Sequence, residues 1–143
     1  MFSVQGVLIA FLLHASAASA DGNTPPGFPN MTACSGSIDP AVGCVTIPIV
    51  SDSCLDLIGG FSGLNHEISW VQVPNDYACT YFQNFGCLAV EEEDHTTLTS
   101  GTWNMFDVPT VSGTQNFNDL TSSLNCVFGH GCDVGCLNVL LED

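Results

Sequence analysis

Eight cysteines, Cys34, Cys44, Cys54, Cys79, Cys87, Cys126, Cys132 and Cys136, constrain this 143-residue chain more than any other feature. What they do depends on the compartment, because thiols oxidise outside the cytosol and stay reduced within it. The N-terminus speaks to that choice. An apolar run at residues 7–13 leads into small residues ending Ala18-Ser19-Ala20, an A-x-A cleavage pattern, so residues 1–20 read as a secretory signal peptide. The run is too short to cross a bilayer, and no second apolar run of spanning length follows it. Its only departure from the pattern is an n-region without Lys or Arg. The product is expected to be secreted and extracellular, with its cysteines joined in four disulfides. Eight cysteines admit about 105 connectivities, and spacing does not choose among them. Zinc is a poor alternative, since no C-x-x-C pair is present.

The rest of the chain has the length of one domain. Residues 21–43 read as a flexible N-terminal lead, because Pro25, Pro26 and Pro29 with two glycines forbid regular structure at its start. Asn30-Met31-Thr32 within it is an N-glycosylation sequon, which makes Asn30 the candidate glycosylation site. Residues 44–136 read as the disulfide-stabilised domain and residues 137–143 as a C-terminal tail.

From Cys44 onward the pattern is one of short strands. Residues 45–50 are rich in β-branched side chains, with Pro48 pushing them to an edge or a bulge. Residues 52–58 lack a breaker and predict a short helical turn, closed by the glycines of residues 59–63. Residues 68–73 alternate and stop at Pro74-Asn75-Asp76, a strand followed by a turn. Residues 78–82, 102–108 and 124–128 repeat the theme. No sustained helical period follows the leader, so the spacing predicts an all-β sandwich with little helix. Its candidate core is Ile47, Ile49, Ile68, Trp70 or Val71, Tyr81, Phe85, Leu98, Trp103, Phe106, Leu124 and Val127.

Charge narrows the partners. There is no Lys or Arg against fifteen acidic residues, a formal charge of −15. Nucleic acid needs cationic side chains to displace its counterions, and anionic lipid attracts basic segments, so both are excluded as expected partners. With no cation to pair with, each carboxylate must meet water, a metal, a backbone N–H or another carboxyl. Acidic surroundings or divalent cations relieve the self-repulsion.

Two segments look alike when superposed. Asn65-His66-Glu67-Ile68-Ser69-Trp70 and Asn118-Asp119-Leu120-Thr121-Ser122-Ser123 share an Asn opening and a Ser at the fifth place, and both run into a strand. The second satisfies [N/D]-[N/D]-x-x-[S/T]-S in full, which resembles the calcium motif of microbial βγ-crystallin domains. Residues 79–87, Cys-Thr-Tyr-Phe-Gln-Asn-Phe-Gly-Cys, look like the aromatic and glycine corner that opens a Greek key there. The layout over residues 45–127 is similar to small cysteine-rich βγ-crystallin-like proteins secreted by fungi. This resemblance implies a disulfide-rich β-sandwich of two Greek-key motifs. It also implies calcium, held by a backbone carbonyl, a hydroxyl and a side chain from the opposite motif. Carried over, the ligands are the Leu120 carbonyl, Ser122 hydroxyl and Asp119 carboxylate of the complete copy, with the Glu67 carbonyl and Ser69 hydroxyl of the first. His66 departs from the pattern where a hard oxygen is wanted, and Trp70 replaces the terminal Ser. A site depending on His66 is crippled, and the other, using Asp119, binds weakly. The same Asn, Asp and Ser residues serve equally as caps of turns.

Catalytic constellations are missing from the sequence. Beyond the leader stand His66, His95 and His130, with no G-x-S-x-G elbow, H-E-x-x-H helix or phosphate loop. The run Glu91-Glu92-Glu93-Asp94 ahead of His95 reads as a solvated loop. The leading expectation is therefore a non-enzymatic, effector-like or toxin-like extracellular binding module. Its partner is a protein or glycan, engaged through loops at residues 59–65 and 91–96. A membrane-lytic mode is disfavoured without a cationic face. The alternatives are a secreted hydrolase with a carboxylate site and a calcium-tuned surface protein.

Overall fold

The computed structural model describes residues 28–129. The expected signal peptide, residues 21–27 of the lead, His130, Cys132, Cys136 and the expected tail lie outside the described residues.

Strand β1 (Asn30–Cys34) and strand β2 (Cys44–Pro48) form an antiparallel hairpin. Alternation along β1 buries Met31 and Ala33 and turns Asn30 and Thr32 outward. Strand β2 pairs only with β1 and ends at Pro48, where a residue without an N–H costs the ladder nothing. The Ile49 N–H then donates to the Pro29 carbonyl at 2.8 Å. Because β1 sits between β2 and β4, the expectation of a flexible lead up to residue 43 is corrected from Asn30 onward. The prolines end at Pro29, and Met31 and Ala33 supply a two-member alternation too short to stand out in sequence.

Strand β3 (Cys54–Asp56) lies at the opposite edge of the six-stranded sheet, paired with strand β8 (Ser123–Phe128). The helical turn expected at residues 52–58 is therefore not formed there. A single 3-10 turn forms instead over Gly59–Leu64, across the very glycines expected to break it. Pairing with β8 and the Cys54–Cys87 disulfide hold residues 54–56 extended. A lone 3-10 turn orders few residues and tolerates glycine, and Gly59 adopts φ 57°.

Strand β4 (Trp70–Phe82) runs thirteen residues where two strands were expected. Its register against strand β5 (His95–Asn104) shifts between Val73 and Ala78, so Pro74-Asn75-Asp76 is a bulge rather than a turn. Before the bulge β4 pairs with β1, and after it with β8. This change of partner along one strand curls the sheet into the sandwich. Strand β5 starts at His95 and stops at Asn104, so the expected strand at residues 102–108 is split. Strands β6 (Val108–Thr110) and β7 (Gly113–Gln115) form a separate small hairpin.

The core gathers Met31, Ile47, Leu57, Ile68, Val71, Tyr81, Leu98, Met105, Val108, Phe117 and Leu124, all at most 3 % exposed. Of the pair Trp70 or Val71, the inward member is Val71. Three expected core residues are instead exposed: Phe85 on a 3-10 turn, Phe106 in the turn after β5, and Val127 on the outer face of β8 beside inward Cys126. Trp103 is partly buried, and its Nε1–H donates to the Thr99 carbonyl at 2.7 Å. Three disulfides fasten this frame among the described residues. Cys34–Cys44 closes the first hairpin, Cys54–Cys87 ties β3 to the turn after β4, and Cys79–Cys126 joins β4 to β8.

Tyr81 is wholly buried, its hydroxyl has no hydrogen-bond partner among the described residues, and burial pushes its ionisation far above the ordinary phenol range. An unpartnered buried hydroxyl is a net cost, so Tyr81→Phe is expected to stabilise the fold by about 1 kcal/mol in urea unfolding. A phenol whose folded ionisation is raised contributes its full stability below the unfolded value of about 10 and loses it as pH climbs beyond. The alkaline fall in stability above about pH 10 should accordingly shrink in the same variant.

Candidate functional site

The two Asn-led segments fold into equivalent turns. Both begin after a buried apolar residue, Leu64 in one and Phe117 in the other. In each, the third residue closes the turn on that apolar residue: Glu67 N–H to the Leu64 carbonyl at 3.1 Å, Leu120 N–H to the Phe117 carbonyl at 3.4 Å. The second residue of each takes the left-handed conformation, His66 at φ 56° and Asp119 at φ 59°. Both Asn65 and Asn118 bury Oδ1 without a protein partner.

The turns then clasp each other. The His66 N–H donates to the Thr121 carbonyl at 2.9 Å, and the Asp119 N–H donates to the Ile68 carbonyl at 3.1 Å. These are the second residue of one turn and the fourth of the other, in both directions. The fifth residues correspond as well. Ser69 N–H donates to Cys34 at the end of β1, and Ser122 N–H donates to Phe82 at the end of β4. Their carbonyls accept from Met105, just past β5, and Leu57, just past β3. A local two-fold thus relates residues 64–70 to residues 117–123, set by backbone bonds rather than by side-chain identity.

Side chains break that symmetry. His66 Nδ1 lies 3.3 Å from the Asp119 carbonyl, which can only accept, so Nδ1 carries the proton. The other nitrogen, Nε2, lies 2.9 Å from Ser122 Oγ and accepts from that hydroxyl. The imidazole therefore bridges the Asp119 carbonyl and Ser122 Oγ with both ring nitrogens engaged. Calcium takes six to eight oxygens, and this half does not suit it. Ser122 is also 1 % exposed, so the Ser122–His66 pair offers no reachable nucleophile.

The other half differs in kind. Its groups are the Glu67 carbonyl, Ser69 Oγ and, from the facing turn, the Asp119 carboxylate, all oxygens. Ser69 Oγ donates its one proton to the Ser35 carbonyl at 3.1 Å, which leaves its lone pairs free. Asp119 is exposed, and its carboxylate accepts no hydrogen bond among the described residues. Oxygens are the donor type that a hard divalent cation takes.

Ser123 and Trp70, sixth in each turn, do something else. Ser123 Oγ donates to the Asn84 carbonyl at 2.6 Å and accepts from Cys87 N–H at 2.9 Å, anchoring the corner after β4. Trp70 opens β4 without such a bond. The backbone clasp and the engagement of His66 escaped sequence reasoning, although the paired Asn and Ser positions mark where the turns lie. Elsewhere, Asn30 is exposed, and the Glu92–Asp94 segment is a 3-10 turn. There Asp94 Oδ2 accepts from Val90 and Glu91 N–H, so that acidic run caps itself. Among the described residues no three His, Cys, Asp or Glu side chains gather as a metal cluster, and no helix is long and apolar enough to cross a membrane.

No protein-family model matches this chain, and no curated protein matches it. Solved structures do. A βγ-crystallin domain from Flavobacterium johnsoniae aligns at TM-score 0.50 and 14% identity, covering 71% of this chain and 98% of that one. The N-terminal domain of protein S aligns at TM-score 0.47 and 18% identity, covering 70% and 97%. A βγ-crystallin from Ciona intestinalis aligns at TM-score 0.45 and 15% identity, covering 68% and 98%. With the strand order, the clasped turns and the Flavobacterium alignment together, the fold of this chain is that of a βγ-crystallin domain, a disulfide-rich β-sandwich of two Greek-key motifs.

Proposed function

We propose that this chain is a secreted, non-enzymatic binding module that holds one calcium ion between its clasped turns. Its macromolecular partner lies outside the cell, in an effector-like or toxin-like role. The observation that carries the calcium reading is the asymmetry of the two halves. In one, the carried-over donors are all oxygens and include the exposed Asp119 carboxylate; in the other, His66 is bonded to Ser122. Asp119, Glu67 and Ser69 are the ligands, while Leu120 and Ser122 belong to the half closed by the imidazole. A chain with fifteen acidic residues and no Lys or Arg gains doubly from a divalent cation, by ligation and by relief of self-repulsion. Three disulfides agree with an oxidising compartment. The exposed glycine-rich turn at Gly59–Leu64 and the acidic turn at Glu92–Asp94 are the surfaces for the partner.

Thermal melting of the purified protein tests the calcium site. Calcium at about 100 times its dissociation constant is expected to add roughly 2.7 kcal/mol relative to a chelator control. Asp119→Ala should abolish that increment, while His66→Asp should add a second equivalent of bound calcium in titration calorimetry. Identical melting with and without calcium would remove the ion from the account.

A further inference from the structure

The one sequon of the chain opens onto a groove shaped for what a sequon receives. Asn30 is exposed at the start of β1 and lines a cleft of about 360 Å³, within the size range of small-ligand sites. Thr32, Gln72, Pro74, Asn75 and Gly101 also line it. Register explains the grouping. Thr32 faces Gln72, and Gln72 faces Thr102, so one outward polar row crosses β1, β4 and β5. The β4 bulge follows directly after that row, and its Pro74 and Asn75 line the same cleft.

The lining has the chemistry of a sugar seat. In a chain of fifteen carboxylates, none lines this cleft. Among the described residues the Gln72 and Asn75 side-chain amides make no hydrogen bond, so each offers paired donors and acceptors to hydroxyl and acetamido groups. Pro74 and Gly101 present flat, uncharged surface suited to the C–H face of a pyranose ring.

We infer that Asn30 carries an N-linked glycan whose first sugars lie in this groove against Gln72 and Asn75. The inference rests on the export proposed above, since the donor is met only along that route. In the transfer, the Asn30 amide nitrogen bonds to the anomeric carbon of an oligosaccharide held on a lipid pyrophosphate. The bond from that carbon to the phosphate oxygen breaks, the lipid pyrophosphate leaves with the electron pair, and the amide nitrogen gives up one proton. Folding afterwards brings Gln72 and Asn75 alongside the attached sugar.

The test expresses the full chain, leader included, in a eukaryotic secreting host. Protein from the medium should be heavier by one glycan, lost in Asn30→Gln. Release of that glycan by an endoglycosidase should be slower from native than from unfolded protein. The double variant Gln72→Ala/Asn75→Ala keeps the sequon, and its native release should speed up by about fivefold per hydrogen bond lost. Exported protein with a bare Asn30 overturns the inference and leaves the export reading standing. A glycan released equally fast from wild type and the double variant overturns the seat. Protein retained in the cell with its leader attached removes both readings together.

Discussion

Replacing Cys79 and Cys126 together by alanine is expected to lower the stability of the fold by about 4 kcal/mol, the largest loss available from one bridge in the described residues. The two residues are direct register partners on β4 and β8, and they are 47 apart in sequence, the longest of the three closures. A bridge restricts the unfolded chain more as its loop lengthens, and this one also buries both sulfurs in the core. Opening Cys34–Cys44, whose separation is 10, should cost nearer 3 kcal/mol, because the hairpin it closes is already local. Urea midpoints of the two variants, read against wild type at equal slope, measure the difference. The ordering matters more than either value: a greater loss from the short loop would mean that chain restriction is not what these bridges supply.

Phe117→Ala is expected to cost 3–5 kcal/mol, a large share of the roughly 5–15 kcal/mol that holds a small domain together. Phe117 is wholly buried, its N–H donates to the Met105 carbonyl at 2.7 Å, and its own carbonyl receives Leu120. Truncating the ring therefore empties core volume directly beneath the turn that carries Asp119. Two readouts follow from one substitution. Denaturant unfolding should show the stability loss, and the calcium-dependent rise in melting temperature should fall with it. The same truncation at Leu64, under the first turn, should lower stability by about 2–5 kcal/mol and loosen the Glu67 carbonyl in the same way. If calcium still raised the melting temperature of Phe117→Ala by the wild-type amount, the turn would not depend on its apolar base.

The β-class and the sandwich were legible because alternation at Ile47 and Ile49, Val71 and Val73, and Leu124 and Cys126 survives in sequence as a period of two. What escaped did so for identifiable reasons. Strand β1 alternates only through Met31 and Ala33 before buried Cys34 breaks the pattern, too brief a run to register beside three prolines. The β4 bulge looks like a turn because Pro74-Asn75-Asp76 has turn composition, and only pairing with β5 on both sides of it reveals one continuous strand. Residues 54–56 have no intrinsic strand signal. They are extended because β8 and Cys87 hold them there, which is information from residues far along the chain. At the candidate site, the paired Asn and Ser positions located both turns. The imidazole bridge from the Asp119 carbonyl to Ser122 could not be read, since it depends on which residues meet across the clasp.

Strand β3 finds its only ladder partner in β8, almost at the far end of the described chain. A polypeptide emerging N-terminus first therefore presents Cys54, Leu55 and Asp56 long before the segment that pairs with them has been synthesised. Closure of the β3 edge therefore waits for β8, a non-local pairing of the kind that slows folding. Until that moment Cys79 stands without Cys126, and any pairing it makes earlier has to be undone.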